Sequence, residues 1–195
     1  MRPPVHSSAK GFTLLEVMVV LVIIAMMMSM VGLAPSGNEQ KKEAEMMALK
    51  LKSLLQAYRE DAVFYNRDLG LALDGQSFLL FEYYDLRNPT IASALDKEQL
   101  PAIKDNPWSD YTGKLESQLE LEEQLFYRLE IEGEEIDLAE DEGEEGPKVR
   151  LEFLASDEYR PFKITLSHQY DDSFAVIIKG NGLGRINTET VNYED

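Results

Sequence analysis

A chain of 195 residues with 36 acidic and 19 basic side chains carries a formal charge of −17 at neutral pH. That balance excludes phosphate backbones as partners, because nucleic-acid affinity rests on lysine and arginine contacts, and it steers the chain toward cationic partners or metal ions. Cysteine is absent, so neither a disulfide framework nor a thiolate metal site is available.

Taken from the start, a short segment carrying Arg2 and Lys10 without an acid precedes an apolar run from Phe12 to Ala34. The run is 23 residues long, its only polar side chains are Thr13, Glu16 and Ser29, and as a helix it spans roughly 34 Å. A bilayer core is about 30 Å thick, so residues 12–34 are expected to cross a membrane. The positive-inside rule then puts the first segment in the cytoplasm and the acidic remainder on the far side. Glu16 needs a reason, since a carboxylate within a membrane helix costs about 3 kcal/mol on insertion scales. A cut between Gly11 and Phe12 would create an α-amine at the same depth. A helix start favours carboxylates and disfavours cations, so the amine of a neighbouring copy is the better partner for Glu16.

Lys10-Gly11-Phe12-Thr13-Leu14-Leu15-Glu16 ahead of a long apolar helix resembles the class III signal of type IV pilins and type II secretion pseudopilins. The resemblance implies a leader of residues 1–11 removed by a prepilin peptidase after Gly11, N-methylation of Phe12, and Glu16 as the glutamate that guides filament assembly. A secretory signal peptide ending at Gly32-Leu33-Ala34 is the plainer alternative, but its apolar core would be too long and Pro35 would follow the cut. An ordinary single-span anchor is another, and it leaves Glu16 unexplained.

Beyond the span, Pro35-Ser36-Gly37-Asn38 is a breaker cluster. A second helix begins near Glu39, with Ala44, Met47, Ala48, Leu51, Leu54, Leu55, Tyr58, Ala62 and Tyr65 forming an apolar stripe that packs on a sheet. The first half of that stripe is also a candidate for contact with neighbouring subunits. Asp74-Gly75 reads as a turn before a strand over 76–84, and a loop-rich stretch with a short helix near Ala94–Leu100 follows. Trp108 is expected as a packing anchor. Strands are then expected over 124–131, 148–153, 162–168, 174–179 and 184–188, separated by Asp171-Asp172-Ser173 and Gly180-Asn181-Gly182. Strands that follow one another without helices between them imply antiparallel sheet, so the fold class is α+β: a long N-terminal helix, its first half in the membrane, packed on a C-terminal β-rich domain. Residues 35–195 form that domain, and the acid-rich segment 132–145 reads as a solvated loop. Calcium binding there is a weaker alternative, as the loop lacks the ligand order of an EF-hand.

No catalytic constellation emerges. His6 lies in the leader, His168 stands alone in a strand, and paired carboxylates carry little information in so acidic a chain. The glycines at 180, 182 and 184 have no helix after them and read as a turn. No cofactor or metal is expected.

The segment Leu151 to Leu166, with Ser156-Asp157-Glu158 ahead of Pro161-Phe162, and the later Phe174-Ala175-Val176-Ile177-Ile178 resemble the C-terminal half of the H-type minor pseudopilins. Many members of that family have Ser-Gly-Glu at the turn and a threonine before the Pro-Phe pair; here Asp157 takes the glycine's place. The resemblance implies a non-enzymatic inner-membrane subunit with its domain in the periplasm. It would link a tip complex of other minor pseudopilins to the major-pseudopilin shaft. A type IV pilus minor pilin for adhesion or DNA uptake, which should present a basic patch, and a membrane-anchored periplasmic enzyme are the alternatives.

Overall fold

The computed structural model describes residues 14–31, 37–74, 76–98, 100–138 and 148–193, and these fall into two compact units that part after Glu39. In the first unit, helix α1 (Leu14–Val31) is built from side chains that offer the backbone almost no hydrogen-bond partner. Intrahelical bonds are then the way its N–H and C=O groups are satisfied.

The second unit begins with helix α2 (Gly37–Tyr65), most of which belongs to it. Ala44, Ala48, Leu51, Leu55, Tyr58 and Ala62, spaced by three and four, are fully or almost fully buried, and Met47 and Leu54 flank them. The helix ends in a Schellman turn: Asn66 takes a left-handed φ of 52°, Arg67 N–H donates to the Ala62 carbonyl and Asn66 N–H to that of Val63. Tyr65, expected on the buried stripe, is instead 57% exposed, because this turn carries the chain away at that point.

Ten strands follow among the described residues, in two antiparallel sheets. The first sheet runs β3 (Trp108–Asp110), β2 (Ser77–Tyr83), β1 (Leu69–Asp74), β7 (Val149–Phe153), with β4 (Gln118–Glu120) also on β2. The second runs β10 (Asn187–Asn192), β9 (Asp171–Gly180), β8 (Phe162–His168), β5 (Leu125–Ile131), β6 (Glu134–Ile136). Alternate residues point inward: Leu125, Tyr127, Leu129 and Ile131 on β5 face the core while Phe126, Arg128 and Glu130 do not. The inner faces of both sheets and the stripe of α2 form one core, and the rings of Phe78 and Tyr127, 4.9 Å apart, join the two sheets within it. This is the expected α+β class, with a helix against antiparallel sheet.

Several elements differ from the sequence expectation. Helix Ala94–Leu100 is replaced by two short helices on either side, α3 (Pro89–Ala94) and α4 (Leu100–Asp105). The Asn88 side chain accepts from Thr90 N–H and Pro89 fills the first helical position, which sets the start of α3. The turn placed at Asp171–Ser173 falls at Gln169-Tyr170, where His168 pairs with Asp171, so Asp171 to Ser173 already belong to β9. The last strand lies over 187–192 rather than 184–188. The acid-rich segment is not wholly loop. Glu132 and Gly133 (φ 55° and 90°) make a two-residue turn, and β6 pairs back on β5 with Ile131 opposite Glu134. Residues 139–145 of that segment lie outside the described residues.

Candidate assembly site

Glu16 lies in the first turn of α1, where the partial positive charge of the helix end favours a carboxylate. Around it the helix has no polar side: Leu14, Leu15 and Met18 are 60–80% exposed, and every large apolar residue from Val17 to Met27 is exposed as well. A helix that is apolar all round is buried against lipid or other protein. Gly11 and Phe12, the expected cleavage and methylation positions, lie outside the described residues. Among the described residues no helix is long and apolar enough to cross a membrane. The 18 residues of α1 rise about 27 Å, while residues 12, 13 and 32–34 of the expected span are not among those described.

In the second unit the outer face of α2 is open and the inner face is fastened. Met46 and Leu49 are 65% and 53% exposed. Of the stripe's first half, the candidate for contact with neighbouring subunits, Ala44, Ala48 and Leu51 are buried in the domain's own core and Met47 is half-buried against it. Polar ties run along the inner side. Thr190 Oγ1 donates to Glu45 Oε1 (2.9 Å), Gln56 Nε2 to the Ile186 carbonyl (3.3 Å), and the Tyr58 hydroxyl to the Glu116 carbonyl (2.6 Å). Burial pushes the Tyr58 hydroxyl far above its ordinary pKa. Arg59 pairs with Asp157, Nη2 to Oδ2 at 2.7 Å. Asp157 stands in the left-handed region, φ 73°.

At the end of α2, Arg67 donates to Asp61 (2.6 Å) and Glu82 (3.0 Å), with all three side chains less than 20% exposed. Its guanidinium lies 5.0 Å from the Tyr65 ring centre and 4.8 Å from that of Tyr111. Sequence reasoning missed this cluster, because Asp61, Arg67, Glu82 and Tyr111 are scattered over 51 positions and only the turn after α2 gathers them.

Trp108 is the expected anchor. Its ring meets Tyr83 edge-on at 5.0 Å and occupies the space that a Cβ on Gly70 would need, 2.5 Å from the nearest ring atom. His168 is buried, and its Nδ1 accepts from Tyr170 N–H at 3.2 Å, a structural bond. Among the described residues no group of histidine and acidic side chains is placed to hold a metal ion.

Comparison with known proteins bears on these features. Residues 6–32 match the prokaryotic N-terminal methylation motif. The chain is 25% identical to the type II secretion system protein H of Pseudomonas aeruginosa over 175 residues, 90% of this chain and 92% of that one. It is 26% identical to the protein of the same name from Aeromonas hydrophila over 186 residues, with 90% and 91% covered. Two structures of the minor pseudopilin EpsH from the type II secretion system of Vibrio cholerae share the fold. One has a TM-score of 0.51 at 21% identity, covering 80% of this chain and 97% of that one, and the other 0.50 at 17%, covering 77% and 97%. Motif, likeness along nine-tenths of the chain and fold agree, and the family that this chain resembles in sequence and architecture alike is that of the H-type minor pseudopilins.

Proposed function

We propose that the chain is a minor pseudopilin subunit of a type II secretion pseudopilus, joining a tip complex of other minor pseudopilins to the major-pseudopilin shaft in protein export. The observation that carries this reading is the coincidence of the methylation motif over 6–32 with a helix whose exposed surface from Leu14 to Met27 is apolar except at Glu16. A prepilin peptidase removes residues 1–11 and the new Phe12 amine is methylated. The helix over 12–34 holds the subunit in the inner membrane, with residues 35–195 in the periplasm, and assembly transfers that helix into a bundle of its like. Glu16 pairs there with the amine of a neighbouring subunit, which offsets the cost of burying its charge and sets the axial register. The domain's role is structural: it supplies the lateral contacts that decide the subunit's place.

The test is the variant Glu16→Ala expressed at native level. Recovery of the subunit in sheared pseudopili should fall at least about tenfold, the equivalent of about 1.4 kcal/mol, while the thermal midpoint of the full chain in detergent stays unchanged. Undiminished recovery would contradict the role given to Glu16.

A further inference from the structure

The C-terminal end of α2 opens onto a cleft of about 440 Å³ between that helix end, the last residues of β2 and α3. Tyr65, Tyr83 and Tyr84 contribute aromatic surface to it, and Ile91 its aliphatic side. Four carboxylates, Asp61, Asp68, Glu82 and Asp85, stand in or beside it against two guanidiniums, those of Arg67 and Arg87. Among the described residues, Arg67 is shared by Asp61 and Glu82, Arg87 is taken by Asp85, and Asp68 Oδ1 accepts the Ala155 N–H, so carboxylates outnumber guanidiniums there. The helix end adds to it, because α2 has no basic residue in its last turn to offset the partial negative charge of its carbonyls. Flat aromatic walls, surplus carboxylate and a helix C-terminus each favour a cation, and a planar, weakly hydrated guanidinium lies flat on tyrosine more readily than a strongly hydrated ammonium. The chain's own Arg67 already lies between the Tyr65 and Tyr111 rings with a carboxylate on either side. Phe64, 79% exposed and edge-on to Tyr65 at 4.9 Å, extends the surface beyond the rim.

We propose that this cleft is a docking site for an arginine side chain presented by a partner polypeptide, stacked on the tyrosines and held by the surplus carboxylates. The inference stands apart from the pseudopilus reading and does not require it. The full chain, labelled with 3-fluorotyrosine and kept in a non-ionic detergent, is titrated with acetyl-Gly-Arg-Gly-amide and followed by fluorine NMR. Single Tyr→Phe variants assign the nine tyrosines. The Tyr65, Tyr83 and Tyr84 signals should shift saturably, while those of Tyr170 and Tyr193, 68% and 53% exposed elsewhere on the domain, stay in place. The double variant Tyr65→Ala, Asp85→Asn should weaken binding about fivefold or more, read on Tyr84. Cleft signals that do not move, or parallel movement of Tyr170 and Tyr193 from general attraction to an acidic chain, would overturn the proposal. Undiminished binding by the double variant would do so as well.

Discussion

Arg67 holds the end of α2 against the first sheet through two carboxylates and two tyrosine rings. Arg67→Ala leaves Asp61 and Glu82, side chains 10% and 13% exposed, facing each other without a cation. Removing one partner of such a buried set costs about 3 kcal/mol, and urea unfolding of the full chain in detergent should report a loss of that size; a loss below about 1 kcal/mol would mean that water reaches the carboxylates. Glycine best suits a left-handed backbone, whereas this chain accepts φ 73° at Asp157 and gains a carboxylate that pairs with Arg59 of α2. Asp157 is thereby a fastening. Glu43 works in the opposite sense. Its Oε1 is closed off from water and, with both carboxyls ionised, has nothing to bond. A proton shared with Glu122 is what would join the two. That bond raises the Glu43 pKa, with burial and the repulsion of Glu122 adding. The folded state therefore binds the proton more tightly than the unfolded chain, so this pair's stabilising contribution is present at low pH and lost as pH rises through the raised value. Glu43→Gln should raise the thermal midpoint at pH 7 and leave it unchanged at pH 4; an equal gain at both would locate its effect elsewhere.

At the scale of elements, α2 has two faces with different consequences. Leu51 is fully buried and Leu49 is 53% exposed. Leu51→Ala should cost about 3 kcal/mol from lost burial and the cavity left behind, and Leu49→Ala less than about 0.5 kcal/mol, both measured by denaturant unfolding. Similar losses at the two positions would contradict the orientation of the helix. The strands repeat the contrast. Those with clear alternation, such as β5 and β8, stand within a residue of where the sequence puts them. The three-residue strands β3, β4 and β6 have no period long enough to read, and each exists because a longer neighbour offers it a register. The pair Glu134-Glu135 shows why the acid-rich segment misleads: its charge density argues for solvation, yet Glu132-Gly133 supplies the turn geometry that returns the chain onto β5.

For the whole molecule, the division of labour follows the chain. Under the proposed function, an apolar helix with one carboxylate would serve association, while the acidic α+β domain with its shared core presents surface. The fold class was readable because helical and strand periods are kept over long stretches. The methylation motif was readable because its chemistry is local, seven consecutive residues from Lys10 to Glu16. What could not be read are the long-range clusters. Arg67 with Asp61, Glu82 and Tyr111 exists only after a Schellman turn, two strands and a loop have closed, and the cleft beside it has the same origin. How the chain begins its working life is read from the mass and N-terminal sequence of the protein from membranes of its native host, with and without the prepilin peptidase. A pseudopilin starts at N-methylated Phe12 when the peptidase is present and keeps an intact Met1 start when it is absent. A Met1 start in both, or a cut after Ala34, would contradict the proposed function.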